Sequence, residues 1–168
     1  MSCIISQEEL TDYPLLYFHV VFAVKGRANC ISIHWKEELY KYITGIITHK
    51  NQKLMIINGM PDHVHLLIGL KPDCALSDFI RDVKANSSRF LNETKRVAGK
   101  FEWQTGFGAF TIGQSQIDRV VQYIRNQEEH HKIKTFSEEY IEFLNAYHID
   151  FKTEYLFQAT DAAPTELE

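Results

Sequence analysis

Cysteine is scarce in this chain and follows no pattern that would cross-link a fold or hold a metal. The three cysteines, Cys3, Cys30 and Cys74, are odd in number and lie far apart in the sequence. Such usage argues against a disulfide framework and against a zinc knuckle. We therefore expect a reduced, cytoplasmic protein whose stability comes from a hydrophobic core.

Long apolar runs are missing as well. A membrane-spanning helix needs roughly 18 or more consecutive apolar residues, and no stretch of this sequence is that long. Residues 1–10 carry Glu8 and Glu9 and have no basic region followed by an apolar one, so we expect neither a signal peptide nor a membrane partner. The Gly-rich phosphate loop of ATP-hydrolysing proteins is also absent, because the glycines at 105–108 lack its spacing.

The residues that are present suit one domain of ordinary size. The chain has 168 residues, of which 45% are hydrophobic and 12% aromatic, enough for a substantial core. We predict a single domain over residues 1–150 and a C-terminal extension over 151–168. The end of that extension is small, polar and acidic, so we expect it to be partly disordered.

Charge is distributed unevenly along a chain whose net charge is −4. Residues 79–134 contain ten basic and six acidic side chains, whereas the remainder contains eight basic and sixteen acidic ones. A basic region can bind nucleic acid even on an acidic protein. Ordinary solvent-facing charges on helices would give the same count, so charge alone leaves both interpretations open.

Hydrophobic periodicity predicts an alternation of strands and helices. The predicted elements are a strand at 15–24, a helix at 35–48, strands at 53–57 and 63–70 joined by a turn at 58–62, a helix at 76–91 and a short strand at 100–104. Residues 109–112 form a further short extended piece, and helices follow at 115–129 and 137–147.

This order of elements predicts an α+β fold, the ferredoxin-like split βαβ arrangement. We expect a four-stranded antiparallel sheet with helices on one face, followed by a C-terminal helix that bears a tyrosine. The other face of the sheet is left for a ligand or a third helix. Because this fold hosts many activities, it does not decide the function.

Two histidines mark the start of the third predicted strand. His63 and His65 share one face, because side chains two apart on a strand point the same way. We expect both imidazoles on the face that lacks helices, with Asp62 as at most an indirect partner. Paired imidazoles completed by oxygen ligands can bind magnesium or manganese, although a single histidine on a strand is usually structural.

The predicted helix at 115–129 carries a second motif. Its apolar stripe consists of Ile117, Val120, Val121 and Ile124. Tyr123 and Gln127 lie four residues apart on the flank of this stripe, which sets a phenol beside an amide. Alone, the pair would be a half-buried tyrosine and a surface glutamine. His130 and His131 follow in the next turn. They are either spare metal ligands or a solvated helix end where cations suit the helix dipole, and we favour the second interpretation.

Together these motifs resemble the single-tyrosine HUH transposases of bacterial insertion sequences. The resemblance depends on His63-Val64-His65 within residues 60–67 and on Tyr-x-x-x-Gln at Tyr123 and Gln127. Residues 17–22 and 101–108 are similar to the same family. The resemblance covers roughly residues 13–150 and includes insertion sequence 200/605-like transposases and their REP-associated relatives.

The resemblance implies a specific chemistry. His63, His65 and Gln127 would bind a divalent metal, Mg²⁺ or Mn²⁺, and Tyr123 would attack the scissile phosphate of single-stranded DNA. The product would be a 5′-phosphotyrosine link and a free 3′-hydroxyl, so that rejoining needs no ATP. The resemblance also implies a homodimer in which the tyrosine helix of one subunit completes the other subunit's site. The substrate would be the hairpin-bearing ends of an insertion sequence.

Candidate DNA contacts lie in and after the helix at 76–91. Lysine and arginine supply phosphate contacts, and exposed aromatic side chains stack on unpaired bases. The candidates are Arg81, Lys84, Arg89, Lys95, Arg96, Lys100 and Phe107. Phe110 is a further stacking candidate, although Trp103, Phe107 and Phe110 would equally suit the core.

Two other interpretations stay open. One is a domesticated relative or a replication-type HUH endonuclease with the same site. The other is a non-enzymatic ferredoxin-like module that binds single-stranded nucleic acid by stacking bases on aromatic residues of the open sheet face. The third strand has histidines rather than aromatic residues on that face, which disfavours the module.

Overall fold

The computed structural model describes residues 14–28, 30–131, 135–147 and 150, so the predicted extension at 151–168 and residues 1–10 lie outside it. The helices and strands are β1 (Leu16–Ala23), α1 (Lys36–His49), β2 (Lys53–Met60), β3 (His63–Leu70), α2 (Leu76–Glu93), β4 (Gly108–Ile112), α3 (Ile117–Arg125), α4 (Gln127–His130) and α5 (Phe136–Ala146). Single 3-10 turns lie at Lys25–Arg27 and Gln114–Gln116. Among these described helices, none has the length and hydropathy needed to cross a membrane.

The strands form one antiparallel sheet in the order β2-β3-β1-β4. This is the strand order of the split βαβ arrangement, and it confirms the predicted α+β class. The two central strands are β1 and β3, paired so that Val21 lies opposite His65. Every residue of β3 is buried, as expected for a strand with neighbours on both sides and helices on both faces.

The helices α1 and α2 cover one face of the sheet. Alternate residues of β3, including Leu66 and Ile68, pack there with Ile43 of α1 and Ile80 of α2, and all four are fully buried. The apolar stripes of both helices thus pack against the β3 side chains that alternation along a strand places on this face. This layer is the main hydrophobic core.

The opposite face is not open to solvent. The apolar stripe of α3 packs on β2 and β3, where Leu67 and Ile124 are fully buried. On the other half of this face, Phe143 of α5 packs against Phe110 of β4 with ring centroids 5.1 Å apart. The histidines lie on the face opposite α1 and α2, as predicted, but α3 and α5 cover that face, so the imidazoles are buried rather than open to solvent.

The fourth strand is also not where the sequence predicted it. The strand that pairs with β1 on the side away from β3 is β4, which aligns Tyr17 with Ile112. The predicted strand at 100–104 contributes only an isolated bridge between Trp103 and Val24, beyond the end of β1. Phe101 and Trp103 are buried in the main core, so the alternation of this segment reflects packing rather than sheet pairing.

The predicted single helix at 115–129 is interrupted at Asn126, where α3 ends and α4 begins. The Asn58 side chain donates hydrogen bonds to the carbonyls of Ile124 (2.9 Å) and Arg125 (3.1 Å). Asn58 belongs to β2, which runs three residues further than predicted and leaves only a two-residue turn. The end of the tyrosine helix is thus attached to the sheet.

Candidate active site

His65 lies at the centre of a buried polar cluster between the sheet and the helices α3 and α5. The Nε2 atom of His19, on β1, lies 3.0 Å from His65 Nδ1, and the two rings stack. Burial lowers the pKa of His19 to about 4, so this ring is neutral near pH 7. A hydrogen bond at Nδ1 fixes the orientation of the His65 ring and directs Nε2 toward α5.

His63 is held in a similar way at the start of β3. Its Nδ1 lies 2.7 Å from the Asp62 carboxylate, and its ring is 1% exposed. The centroids of the His63 and His65 rings are 5.0 Å apart. When one ring nitrogen donates its proton to a carboxylate, the other nitrogen keeps a lone pair. This is the usual arrangement of a metal-binding histidine.

Glu139, on α5, joins the two strand histidines to a third one. Its Oε2 lies 3.2 Å from His131 Nε2 and 3.6 Å from His65 Nε2. The side chain of His131 is 7% exposed, so its interpretation as a solvated helix end was wrong. One ligand atom from each of His63, His65, His131 and Glu139 lies within 4.8 Å of all the others.

The surroundings of Glu139 disfavour its charged form. Burial raises the pKa of Glu139 to about 8, and the negative charges of Glu142 and Asp62 act in the same direction. A buried carboxylate of this kind is stable as an anion when a positive charge lies beside it. The cluster therefore has the chemistry of a cation site.

Gln127 supplies an independent test of whether a metal fits. It is fully buried, and its Nε2 donates a hydrogen bond to Glu139 Oε1 at 3.2 Å. Within the described part of the chain, nothing donates a hydrogen bond to its Oε1. A buried acceptor without a donor is costly, and a cation beside it would remove that cost. Imidazole, carboxylate and amide oxygen are together a suitable donor set for a divalent metal.

Tyr123 lies on the same face, in the same chain. Its ring packs edge-on against His65, His19 and Phe143, with centroids 6.2 Å, 5.9 Å and 5.6 Å away. The half-buried tyrosine is positioned by α3, whose Ile124 is fully buried against the sheet. The structure thus brings the tyrosine to the histidine cluster without a second subunit.

A cleft of about 220 Å³ borders this face between the loop before β4 and the start of α5. Its walls include Val21, the cross-strand neighbour of His65, together with Phe107, Phe136 and Tyr140. Gly108 lies at the base, where an added Cβ would come within 2.7 Å of the Tyr140 ring. A side chain other than glycine there would require the Tyr140 ring to shift.

Most of the basic residues predicted to contact DNA have partners in the protein. Arg81 pairs with Asp78 and Lys100 with Glu102, at 2.7 and 2.8 Å, and Arg96 and Arg89 contact Glu38 and Asn86. Lys95, two residues after the end of α2, is exposed.

Lys84 has a different position from the other predicted DNA contacts. Its ammonium donates to the carbonyls of Gln104 (2.6 Å) and Gly106 (2.5 Å), and burial lowers its pKa. Lys84 therefore supports the loop before β4. Phe107 in this loop is half-buried, whereas Trp103 and Phe110 are core residues.

Two residues of the cluster, His19 and Glu139, were not predicted from the sequence, whereas His131 had been considered as a spare ligand. His19 gave one usable signal, since it is a polar residue inside an otherwise apolar strand. Glu139 gave none, because its role depends on where α5 docks.

Known proteins similar to this chain are transposases. A family model described as transposase IS200 like matches residues 12–127, more than half of the chain. The ISDra2 transposase TnpA of Deinococcus radiodurans is 24% identical over 119 residues, which are 68% of this chain and 85% of that protein. The transposase for insertion sequence element IS200 of Salmonella typhimurium is 24% identical over 121 residues, or 69% and 79% of the two chains.

Two solved structures share the fold. A crystal structure from Deinococcus radiodurans, provisionally assigned as a transposase, superposes with a TM-score of 0.55 at 25% identity and covers 70% of this chain and 94% of that one. A REP-associated tyrosine transposase bound to a REP hairpin gives 0.56 at 18% identity, with coverage of 82% and 79%. The matched region runs from β1 to Gln127 and contains the His63, His65 and Tyr123 motifs, and on this match the chain belongs to the IS200-like transposase family.

Proposed function

We propose that the protein cuts and rejoins single-stranded DNA at a divalent-metal site, with Tyr123 as the nucleophile. The observation that carries the proposal is the packing of the Tyr123 ring on His65 within one chain, 6.2 Å between centroids. His65 belongs to a cluster whose atoms suit a metal ion. Attack on a phosphodiester needs a nucleophile, here the phenol, next to groups that can bind a metal ion.

His63, His65 and Gln127 would hold the ion, Mg²⁺ or Mn²⁺. A bound ion of this kind withdraws electron density from the phosphodiester and stabilises negative charge on the leaving 3′-oxygen. His19 contacts Nδ1 of His65, and Asp62 contacts Nδ1 of His63, so each keeps one imidazole ring oriented. Hydrogen bonds that orient the metal-binding side chains in this way are important to metal affinity.

Tyr123 would form the covalent link to DNA. Its phenol oxygen attacks the phosphorus, the bond from phosphorus to the 3′-oxygen breaks, and the products are a 5′-phosphotyrosine and a free 3′-hydroxyl. The phenol must lose its proton during the attack, because a neutral phenol with a reference pKa of about 10 is a weak nucleophile. Attack by a 3′-hydroxyl on the phosphotyrosine reverses the step, joins the strands and returns the proton to the tyrosine.

The proposed substrate is single-stranded DNA with hairpin ends. A solved protein of the same fold is bound to a REP hairpin, and the basic balance of residues 79–134 supports a polyanionic partner. The exposed phosphate contacts would be Arg81, Arg89, Lys95, Arg96 and Lys100, since surface ion pairs exchange readily for phosphate. Lys84 and Phe107 line a second cavity, of about 430 Å³, where a base could stack.

The experiment that tests the proposal uses hairpin-containing single-stranded oligonucleotides labelled at the 5′ and 3′ ends, incubated with Mg²⁺ or Mn²⁺. We expect an adduct with the DNA that survives denaturation and disappears with Tyr123→Phe or with a chelator. Tyr42→Phe is the matched control, because Tyr42 stacks on Phe90 on the other side of the sheet. An adduct that persists in Tyr123→Phe would rule out this nucleophile.

The family resemblance implies a homodimer, and the packing of Tyr123 on its own chain's His65 supports a tyrosine that serves its own site. Mixing inactive Tyr123→Phe with inactive His65→Ala distinguishes the two arrangements. A mixture that stays inactive supports a site within one chain. Recovery of the adduct on mixing would show that the tyrosine acts across subunits.

A further inference from the structure

We propose that Glu139 and His131 are further ligands of the same ion, so that the metal is held by three imidazoles and a carboxylate rather than by the two strand histidines and Gln127 alone. This inference rests on the proposed function only in assuming that a divalent metal binds at His63 and His65. It makes α5 a part of the metal site.

The distances between the side chains suit a common ion. Two atoms that are each about 2.1 Å from a metal lie about 3.4 Å apart at a tetrahedral angle. Glu139 Oε2 is 3.2 Å from His131 Nε2 and 3.6 Å from His65 Nε2. All four groups, including His63, have ligand atoms within 4.8 Å of one another, so small side-chain shifts would close them around one ion.

The burial of the cluster is a second reason to assign Glu139 as a metal ligand. His63, His65 and Glu139 are at most 2% exposed, and a carboxylate in such a place requires compensation by a positive charge. Gln127, also fully buried, donates its amide hydrogen to Glu139 and has an Oε1 that receives no hydrogen bond from the described residues. Gln127 thus has two roles, orienting the Glu139 carboxylate and offering its own oxygen to the ion.

The donor set also determines which metals bind best. Magnesium prefers oxygen ligands and retains its waters, whereas imidazole suits the transition metals. With three imidazoles and one carboxylate, the site is expected to bind Mn²⁺, Co²⁺ and Zn²⁺ more tightly than Mg²⁺. A site made of His63, His65 and the Gln127 oxygen would show a smaller difference.

The alternative is that Glu139 and His131 form an ion pair that only attaches α5 to the sheet. Titration of the full-length protein with Co²⁺, followed by its visible absorption and by calorimetry, separates the two. We expect Glu139→Gln to lower Co²⁺ affinity at least about tenfold and to change the absorption band. Asn145→Ala, on the same helix but exposed, should have neither effect. Unchanged affinity and spectrum in Glu139→Gln would overturn the proposal.

Two further measurements keep the test decisive. If Glu139→Gln does not fold, as judged by circular dichroism, His131→Ala carries the same expectation, and an unchanged Co²⁺ spectrum in it would count against the proposal. Tyr123→Phe should bind Co²⁺ like the unaltered protein. Failure of the proposed function would appear as an adduct that persists in Tyr123→Phe, whereas failure of this inference would appear only in the metal titrations.

Discussion

His19 Nε2 lies 3.0 Å from His65 Nδ1, so a histidine on β1 fixes the ring of a histidine on β3. Because His65 Nδ1 is occupied by this contact, its Nε2 is the atom that faces Glu139. With His65 Nε2 as a metal ligand, the proton of that ring lies on Nδ1, and the neutral His19 ring would accept the hydrogen bond from it. His19 is thereby a positioning residue for the proposed metal site.

The first prediction concerns this contact. His19→Ala should weaken binding of Mn²⁺ by about 10–100-fold, the usual effect of removing a group that orients a metal ligand, and should slow adduct formation in parallel. Calorimetry and the oligonucleotide assay measure the two effects. His34→Ala, an exposed histidine, is the control. Unchanged Mn²⁺ affinity in His19→Ala would show that the contact does not orient His65.

The second prediction concerns the attachment of the tyrosine helix. Asn58→Ala removes two hydrogen bonds to the last carbonyls of α3 and should lower the free energy of unfolding by about 1–3 kcal/mol. Adduct formation should fall as well, because Tyr123 immediately precedes Ile124, one of the two residues held. Urea unfolding and the adduct rate are the measurements.

Gln122→Ala changes an exposed side chain of the same helix and should leave both quantities within experimental error. A stable Asn58→Ala variant with a normal adduct rate would mean that the packing of Ile124 alone positions the tyrosine.

The third prediction compares two glycines. A Cβ at Gly59 would lie 2.3 Å from the backbone oxygen of His63, so Gly59→Ala should force the β2–β3 hairpin apart, with a loss of about 1–3 kcal/mol and weaker metal binding. Gly45, in α1, has open space around its Cβ position. Gly45→Ala should stabilise the protein by about 1 kcal/mol. Urea unfolding of both variants gives the comparison, and equal effects would contradict it.

The fourth prediction concerns the buried contact that anchors Trp103 in the core. Trp103 Nε1 donates to Ser87 Oγ at 2.9 Å, and Ser87 is fully buried. Ser87→Ala leaves the indole N–H without its acceptor and should cost about 1–3 kcal/mol in unfolding free energy. Ser77→Ala, on the exposed side of α2, should cost little.

A double-mutant cycle with Trp103→Phe isolates this hydrogen bond. Because phenylalanine has no N–H group, Ser87→Ala should be less costly in the Trp103→Phe background. Equal costs in both backgrounds would assign the destabilisation to the lost Ser87 packing instead.

The local pattern of apolar and polar residues was sufficient to predict those helices and strands whose bounds depend only on their own residues. The run of β-branched and apolar residues at His63–Leu70 predicted β3 with its observed bounds, and the helical period predicted the first residue of α2, Leu76. The face on which His63 and His65 lie also followed from the period of two. Each of these inferences uses only neighbours in sequence.

Features set by distant partners could not be predicted in this way. The apolar stripe of α3 was visible, but nothing local showed that it covers the histidine face. Phe101 and Trp103 alternate like a strand because they fill the core, whereas pairing along β1 selects Gly108–Ile112. Glu139 approaches His65 across 74 positions of sequence, and a glutamate on a predicted helix gives no sign of such a contact.

The interruption at Asn126 has a consequence for how the proposed site could change over evolutionary time. On an unbroken helix, Tyr123 and Gln127 would move as one rigid unit. Instead, the segment bearing the tyrosine is fastened to β2 through Asn58, and Gln127 is fastened to α5 through Glu139. The tyrosine and Gln127 are thus held by different elements, so a substitution at Gln127 would leave the Asn58 contacts that hold the end of α3 in place.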